Sequence, residues 1–240
     1  MTDQFDDQFD HRVAGVAALA EPVRRTLYRY VIAQPAPVGR EQAALGVGVP
    51  HHVAKFHLDR LVTDGLLEVE YARPPGRSGP GAGRPAKLYR RTDRTISVSL
   101  PERRYDLAGL VLAEAITRAT GTGTPVVETL RGAAETTGRE LATAAPTGDR
   151  PGDVREVLTG IGYEPATRPD GIVELANCPF HALAERYRTL VCTVNRDLLG
   201  GLLEVLAPDT LAARLDPGPG RCCVTIGPAV AERDASAPGS

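Results

Sequence analysis

An α+β protein in two parts is what this sequence predicts, and three observations predict it. Helical periodicity dominates residues 12–64 and gives way to strand-like alternation at 66–71. Charge is unevenly spread: residues 24–94 hold 13 Lys or Arg against 6 Asp or Glu, whereas residues 95–240 hold 14 against 19. All four cysteines fall in the second half, at Cys178, Cys192, Cys222 and Cys223. A composition of 42% hydrophobic and 24% charged residues over 240 positions suits one large domain or two small ones. No apolar run reaches the roughly 18–20 residues of a spanning helix, which argues against a membrane protein. The acidic start MTDQFDDQFDHR lacks a secretory h-region. Four cysteines are too few for a disulfide scaffold, so the expected compartment is the reducing cytoplasm.

The elements follow in order. Val13, Val16, Leu19, Val23, Leu27, Tyr30 and Val31 recur at steps of three and four, so Arg12 to Ala33 reads as helical. Pro22, best tolerated in a first turn, divides that stretch into a short helix and a longer one. Gln34-Pro35-Ala36-Pro37 ends the second helix, Arg40 to Leu45 is a short third, and Gly46-Val47-Gly48-Val49 is a tight turn. A further helix runs from Pro50 to Asp64 and closes at Gly65. Leu66 to Tyr71 alternates as a strand, Arg73 to Arg84 is a Pro/Gly/Arg loop, and Lys87 to Arg90 returns. Three helices with a Gly-containing turn before the last, then a hairpin, make a winged helix-turn-helix domain over residues 11–100.

The remainder is mixed and is read as an α+β sensor domain over 125–228. Tyr105 to Thr120 is an amphipathic helix, and Gly121 to Pro125 is a hinge. Val126–Leu141 and Val154–Thr159 read as helices, Gly162 to Leu175 as a hairpin turning at Arg168 to Gly171, and His181 to about Ala207 as one helix. Cys222–Ile226 reads as a last strand, and residues 229–240 as a disordered tail.

At about 100° per residue, the helix from Pro50 to Asp64 turns Val53, Ala54, His57, Leu58, Leu61 and Val62 to one face and His51, His52, Lys55, Phe56 and Asp59 to the other. The first set packs and the second is available to a major groove. There Lys55 suits a phosphate or guanine edge and Phe56 a thymine methyl. Phe56 reads equally as a rim residue, and His57 as a packed residue at the core edge. In the loop and its returning strand, Arg73, Arg77, Arg84, Lys87 and Arg90 suit a minor groove or its flanking phosphates. The +7 balance of residues 24–94 is the charge expected of such a surface, with duplex DNA as the partner.

The cysteines are the second constellation. Cys178 stands in Asn177-Cys178-Pro179-Phe180-His181, a Cys-x-x-His, with Cys192 and the vicinal Cys222-Cys223 following. Thiolates select zinc or iron–sulfur clusters, although a zinc knuckle normally shows two Cys-x-x-Cys pairs and this chain has none. Inert thiols and a redox-active thiol set are the alternatives. Catalysis is not expected: Cys178 and His181 lack an orienting third residue, and no phosphate-cradling glycine motif is found. An apolar pocket for a small organic ligand, lined by Leu183, Tyr187, Leu190, Val194 and Leu198, is a further reading.

"ALAEPVRRTLYRYV", "VAKFHLDRLVTDGLLEV" and "GAGRPAKLYRRT" resemble winged-helix regulators of the ArsR/DeoR type found in actinobacteria, and "GRPAKLY" resembles the SufR iron–sulfur repressors. The resemblance spans residues 12–100. It implies a homodimeric repressor on a palindromic operator, with residues 105–120 as linker and dimerisation helix. It further implies an iron–sulfur cluster on Cys178, Cys192 and one of Cys222 or Cys223, coupled to DNA affinity. Two departures stand out. Val49-Pro50 occupies the place of a Ser or Thr cap, and Leu203, Val205 or Leu206 stands where four-cysteine members carry another cysteine. The fourth ligand is left among His181, the neighbouring vicinal cysteine and an outside molecule. Zinc is the alternative metal.

Overall fold

The computed structural model describes residues 3–72, 85–145 and 153–229, and the chain divides into two units, Met1–Val98 and Ser99–Ser240. It is a mixed helix-and-sheet protein, and both of its described sheets are antiparallel.

In the first unit α1 (Asp3–Ala18) starts well before Arg12, and α2 (Pro22–Ile32) follows. Glu21 caps α2 by accepting from the amides of Val23 at 3.1 Å and Arg24 at 2.6 Å, with Pro22 in the first turn where its missing N–H costs nothing. Those hydrogen bonds, the one from Arg24 first, hold the Glu21 carboxyl below its ordinary range. After β1 (Val38–Gly39) come α3 (Arg40–Val47) and α4 (His51–Thr63). The turn between the two helices rests on Gly48, at φ +73°, with the Val49 amide donating back to the Ala44 carbonyl at 3.0 Å. The strands β2 (Leu67–Ala72) and β3 (Ala86–Arg91) pair in the register Leu67 to Arg91, and β1 adds to the other side of β3. Leu27, Val38, Ala54, Leu58, Leu61 and Tyr89 are fully buried and form the centre of this unit's core.

In the second unit α5 (Tyr105–Thr122) and α6 (Val126–Ala144) precede α7 (Val154–Gly160) and a hairpin of β4 (Pro165–Thr167) and β5 (Val173–Leu175). The stretch expected as one helix from His181 is two, α8 (His181–Arg186) and α9 (Arg188–Leu206), broken where Tyr187 leaves helical geometry at φ −129°, ψ 50°. A strand that periodicity did not reveal, β6 (Leu211–Leu215), pairs with β7 (Val224–Pro228) in a sheet ordered β4-β5-β7-β6. Two glycines let α6 and α9 meet backbone to backbone. A methyl at Gly138 would collide with the Leu198 carbonyl, and one at Gly201 with that of Glu135. Leu158, Leu175, Leu199, Leu202 and Ile226 lie between helices and sheet, while Leu107, Val111 and Ala115 of α5 pack with Leu130 and Ala134 of α6. Among the described residues, no helix is long and apolar enough to cross a membrane.

Candidate nucleic-acid-binding face and cysteine site

Ala54, Leu58 and Leu61 turn α4 inward, leaving His51, His52, Lys55 and Phe56 exposed on its other side; Phe56 is 65% exposed. Its ring meets His57 edge-on, with centroids 5.1 Å apart. His57 itself is largely buried and accepts from Arg24 Nε at 3.4 Å through Nδ1. His51, His52, Lys55 and Phe56 are therefore at the surface and His57 at the core edge, as expected, whereas Asp59, expected on the exposed face, is half-buried and engaged.

Lys87 and Arg90, expected to reach DNA, are engaged within the unit. Lys87 Nζ donates to Asp59 Oδ1 at 2.5 Å, and the Tyr89 hydroxyl donates to the same oxygen at 2.6 Å. Arg40 Nε donates to the Tyr89 oxygen at 2.9 Å, and its guanidinium lies 3.8 Å from Asp59. Arg90 pairs with Glu68, directly opposite it on β2, at 2.6 Å. Burial pushes the Asp59 carboxyl up, but the hydrogen bonds from Lys87 and Tyr89 and the charges of Lys87 and Arg40 prevail and hold it below its ordinary value. Tyr89 is raised by burial and by the Asp59 carboxylate. Charge counting missed Asp59 as a structural acceptor. Its one available signal was a carboxylate on an otherwise cationic face. Arg73, Arg77 and Arg84 lie outside the described residues.

The four cysteines come together from three elements. Cys178 is in the turn before α8, Cys192 on α9, and Cys222-Cys223 lead into β7. Cys192 and Cys223 are joined in a disulfide; Cys178 is half-buried and Cys222 buried, both are free thiols, and both line one depression. The neighbouring Cys222 holds the Cys178 thiol down to about 7 against its burial, helped by the Phe180 amide and the Arg103 charge. The Cys222 thiol is pushed up by its tie to Cys178 and by burial.

A buried polar chain supports these sulfurs. Tyr163, 1% exposed, donates its hydroxyl to Asn195 Oδ1, and Asn195 Nδ2 donates to Cys222 Sγ at 3.2 Å. Asn177 Nδ2 donates to the Gly162 carbonyl at 2.7 Å and to the Glu102 carbonyl at 2.9 Å. Arg103 donates to Asn177 Oδ1 and, at 3.1 Å, to the Cys178 carbonyl. The Arg104 amide donates to the Pro179 carbonyl at 3.0 Å, and the Tyr105 hydroxyl accepts from the Ala182 amide at 3.3 Å. Residues 102–105, which lead into α5, are thus held by the turn that carries Cys178. Sequence reasoning passed over Asn177, Asn195, Tyr163 and Arg103. The signals for two of them were adjacency of Asn177 to Cys178 and the one-turn spacing of Cys192 and Asn195.

His181 stands apart from the sulfur contacts, exposed, with Nε2 3.3 Å from Glu185 one turn on. With Cys192 and Cys223 joined, no group of three or more His, Cys, Asp or Glu among the described residues is disposed to hold a metal ion. Cys178, Cys222 and Cys223 line a depression of about 680 Å³, which Arg103, Arg188 and Arg221 also border. Separately, Leu183, Tyr187, Leu190, Val194 and Leu198 do line an apolar pocket of about 230 Å³, together with Val111 and Phe180. Compared with protein-family models, with curated proteins and with solved structures, the chain gives no match, so the reading of both sites rests on their own chemistry.

Proposed function

We propose that this chain is a DNA-binding transcription regulator, a homodimeric repressor with a winged helix-turn-helix first unit and a redox- or cluster-sensing second unit. The observation that carries the reading is the exposed face of α4. Lys55, Phe56, His51 and His52 take no part in the core, and α4 follows a tight turn and precedes a hairpin, the order in which a recognition helix occurs. Lys55 serves a phosphate or guanine edge and Phe56 a thymine methyl, while Asp59 fixes strand β3 to the same helix through Lys87 and Tyr89.

The donor chemistry of the cysteine site fits an iron–sulfur cluster, with zinc as the alternative: four cysteines are gathered by three elements, two as free thiols on one depression and two already bonded. Cys178, Cys192, Cys222 and Cys223 would hold the group once the Cys192–Cys223 bond is reduced, and His181, paired with Glu185, is the weaker fourth ligand. A bound cluster supplies an oxidation-sensitive centre. This chain's part is to tie that centre to α5: Arg103, Arg104 and Tyr105 grip the Cys178 turn, so displacement of Cys178 loosens the residues leading into α5. In a dimer reading half-sites about one helical turn apart, a small change in the spacing of the two reading heads costs affinity.

The test is metal, sulfide and absorbance analysis of protein purified without oxygen, with anisotropy against duplexes selected from a random library. Iron and sulfide in near-equal amounts, lost in Cys178→Ser together with the response of DNA binding to oxidant, is the expected result. Unchanged cluster content, or an unchanged oxidant response, in that variant would overturn the sensing half; failure to select any duplex would overturn the whole. The apolar pocket favours a second reading, a regulator answering to a small organic ligand, which metal-free protein with full DNA binding would bring forward.

A further inference from the structure

The arrangement of the sulfurs carries a second kind of chemistry, independent of DNA binding and of any metal. One pair, Cys192–Cys223, is already a disulfide; the other two cysteines, Cys178 and Cys222, are free thiols that line one depression, Cys222 being next to Cys223 in the chain. The two free thiols differ in access. Cys222 is 2% exposed and held by Asn195, whereas Cys178 is half-buried on the wall of the 680 Å³ depression. Pro217-Gly218-Pro219-Gly220 line it as well.

Among the described lining residues, arginines outnumber carboxylates three to one. Arg103 spends its hydrogen bonds on neutral partners, the Asn177 side chain and the carbonyls of Glu102 and Cys178, so no carboxylate in those bonds offsets its charge. Arg188 stands exposed at the rim. Arg221 is balanced by Asp216 and Glu174, and Glu185 is the one carboxylate of the lining. A lining richer in arginine than in carboxylate, with one reachable and one buried free thiol on it, selects an anionic molecule that reacts with thiols.

We propose that the metal-free chain is a thiol–disulfide exchange site for carboxylate-bearing low-molecular-weight disulfides, with Cys178 as the attacking sulfur and Cys222 as the resolving one. Cys178 Sγ attacks one sulfur of the small disulfide; that S–S bond breaks, a mixed disulfide forms on Cys178, and the first small thiol leaves with the proton that Cys178 gives up. Cys222 Sγ then attacks Cys178 Sγ, a Cys178–Cys222 bond forms, and the second small thiol departs with the proton that Cys222 gives up. The two protein thiols are oxidised by two electrons, the external disulfide is reduced to two thiols, and no other oxidant is required. The Cys192–Cys223 bond is a bystander.

The experiment uses the full chain, metal-free and without added reductant, incubated with oxidised glutathione, quenched by alkylation and mapped by mass spectrometry without reduction. Before treatment Cys178 and Cys222 take the alkylating agent; afterwards neither does, and a Cys178–Cys222 linked peptide is found. In Cys222→Ser the reaction stops with glutathione on Cys178. Arg188→Glu slows the reaction about tenfold with oxidised glutathione, the scale of electrostatic steering, and leaves the rate with uncharged 2-hydroxyethyl disulfide unchanged. Cys178 still alkylated in the treated wild-type chain, or glutathione found on Cys192 or Cys223 instead, would overturn the proposal. Equal slowing with both disulfides would overturn its anionic specificity. None of these readouts involves DNA or iron, so this inference and the cluster reading fail separately.

Discussion

Asp59 accepts from Lys87 and from Tyr89 on one oxygen, with Arg40 close by, and this knot joins α4, β3 and the start of α3. Tyr89 is fully buried, so Tyr89→Phe leaves the Arg40 donor and the Asp59 acceptor short of a partner and lowers stability by about 1–2 kcal/mol, read by urea unfolding. The pH dependence has a definite sign. The folded carboxyl of Asp59 titrates below its ordinary value of 3.8, so its contribution is complete above that range and is lost as pH falls through the lower folded value. Unfolding followed from pH 6 downward should show less acid sensitivity in Asp59→Asn; parallel curves for the two proteins would reject this account. Partnership is also where the sequence was least readable. Lys87 and Arg90 were visible as cations, but a charge count carries no information on what lies across a strand pair, and Glu68 faces Arg90 only once the hairpin register exists.

Among elements, α4 was the most legible, because a helix with one buried and one exposed face writes its period directly into the sequence. Its expected and observed spans differ by a residue at each end. Since Lys55 and Phe56 project from the surface, Lys55→Ala and Phe56→Ala should leave the unfolding midpoint nearly unmoved, within about 0.5 kcal/mol. Lys55→Ala should reduce the slope of log affinity against log salt by about 1 if it neutralises one phosphate. A lowered midpoint in either variant would show that this face packs. Periodicity served the second unit less well. The stretch from His181 to Leu199 carries no Pro or Gly, so no helix breaker announces the break between α8 and α9. Leu211 to Leu215, reading Leu-Ala-Ala-Arg-Leu, has helical composition and becomes β6 only because β7 offers it a ladder. The α6–α9 crossing gives the clearest stability prediction: Gly138→Ala forces a methyl onto backbone and costs about 1–3 kcal/mol, measurable as a shift in denaturant midpoint.

For the molecule as a whole, the division at Val98–Ser99 separates one core around Leu58 and Tyr89 from others around Leu202 and Val111. A fragment of residues 99–240 should therefore unfold cooperatively by itself and show the same pattern of alkylated and protected cysteines as the full chain. A fragment without a cooperative transition would mean that its cores depend on the first unit. The gathering of the cysteines from residues 178, 192, 222 and 223 was legible only as a suspicion, since their meeting depends on a sheet whose third strand was not seen. Their support by Tyr163, Asn177 and Asn195 is a property of the folded interior. The glycine crossing of α6 and α9 bears on how that interior behaves under load. With no side chains between them at Gly138 and Gly201, the two helices can neither slide nor roll without backbone meeting backbone, so they act as a single stiff beam. Cys192 is mounted on one half of that beam and α5 is braced against the other through Leu130 and Ala134. A shift of α9 at Cys192 is therefore expected to carry α6, and with it the face on which α5 packs.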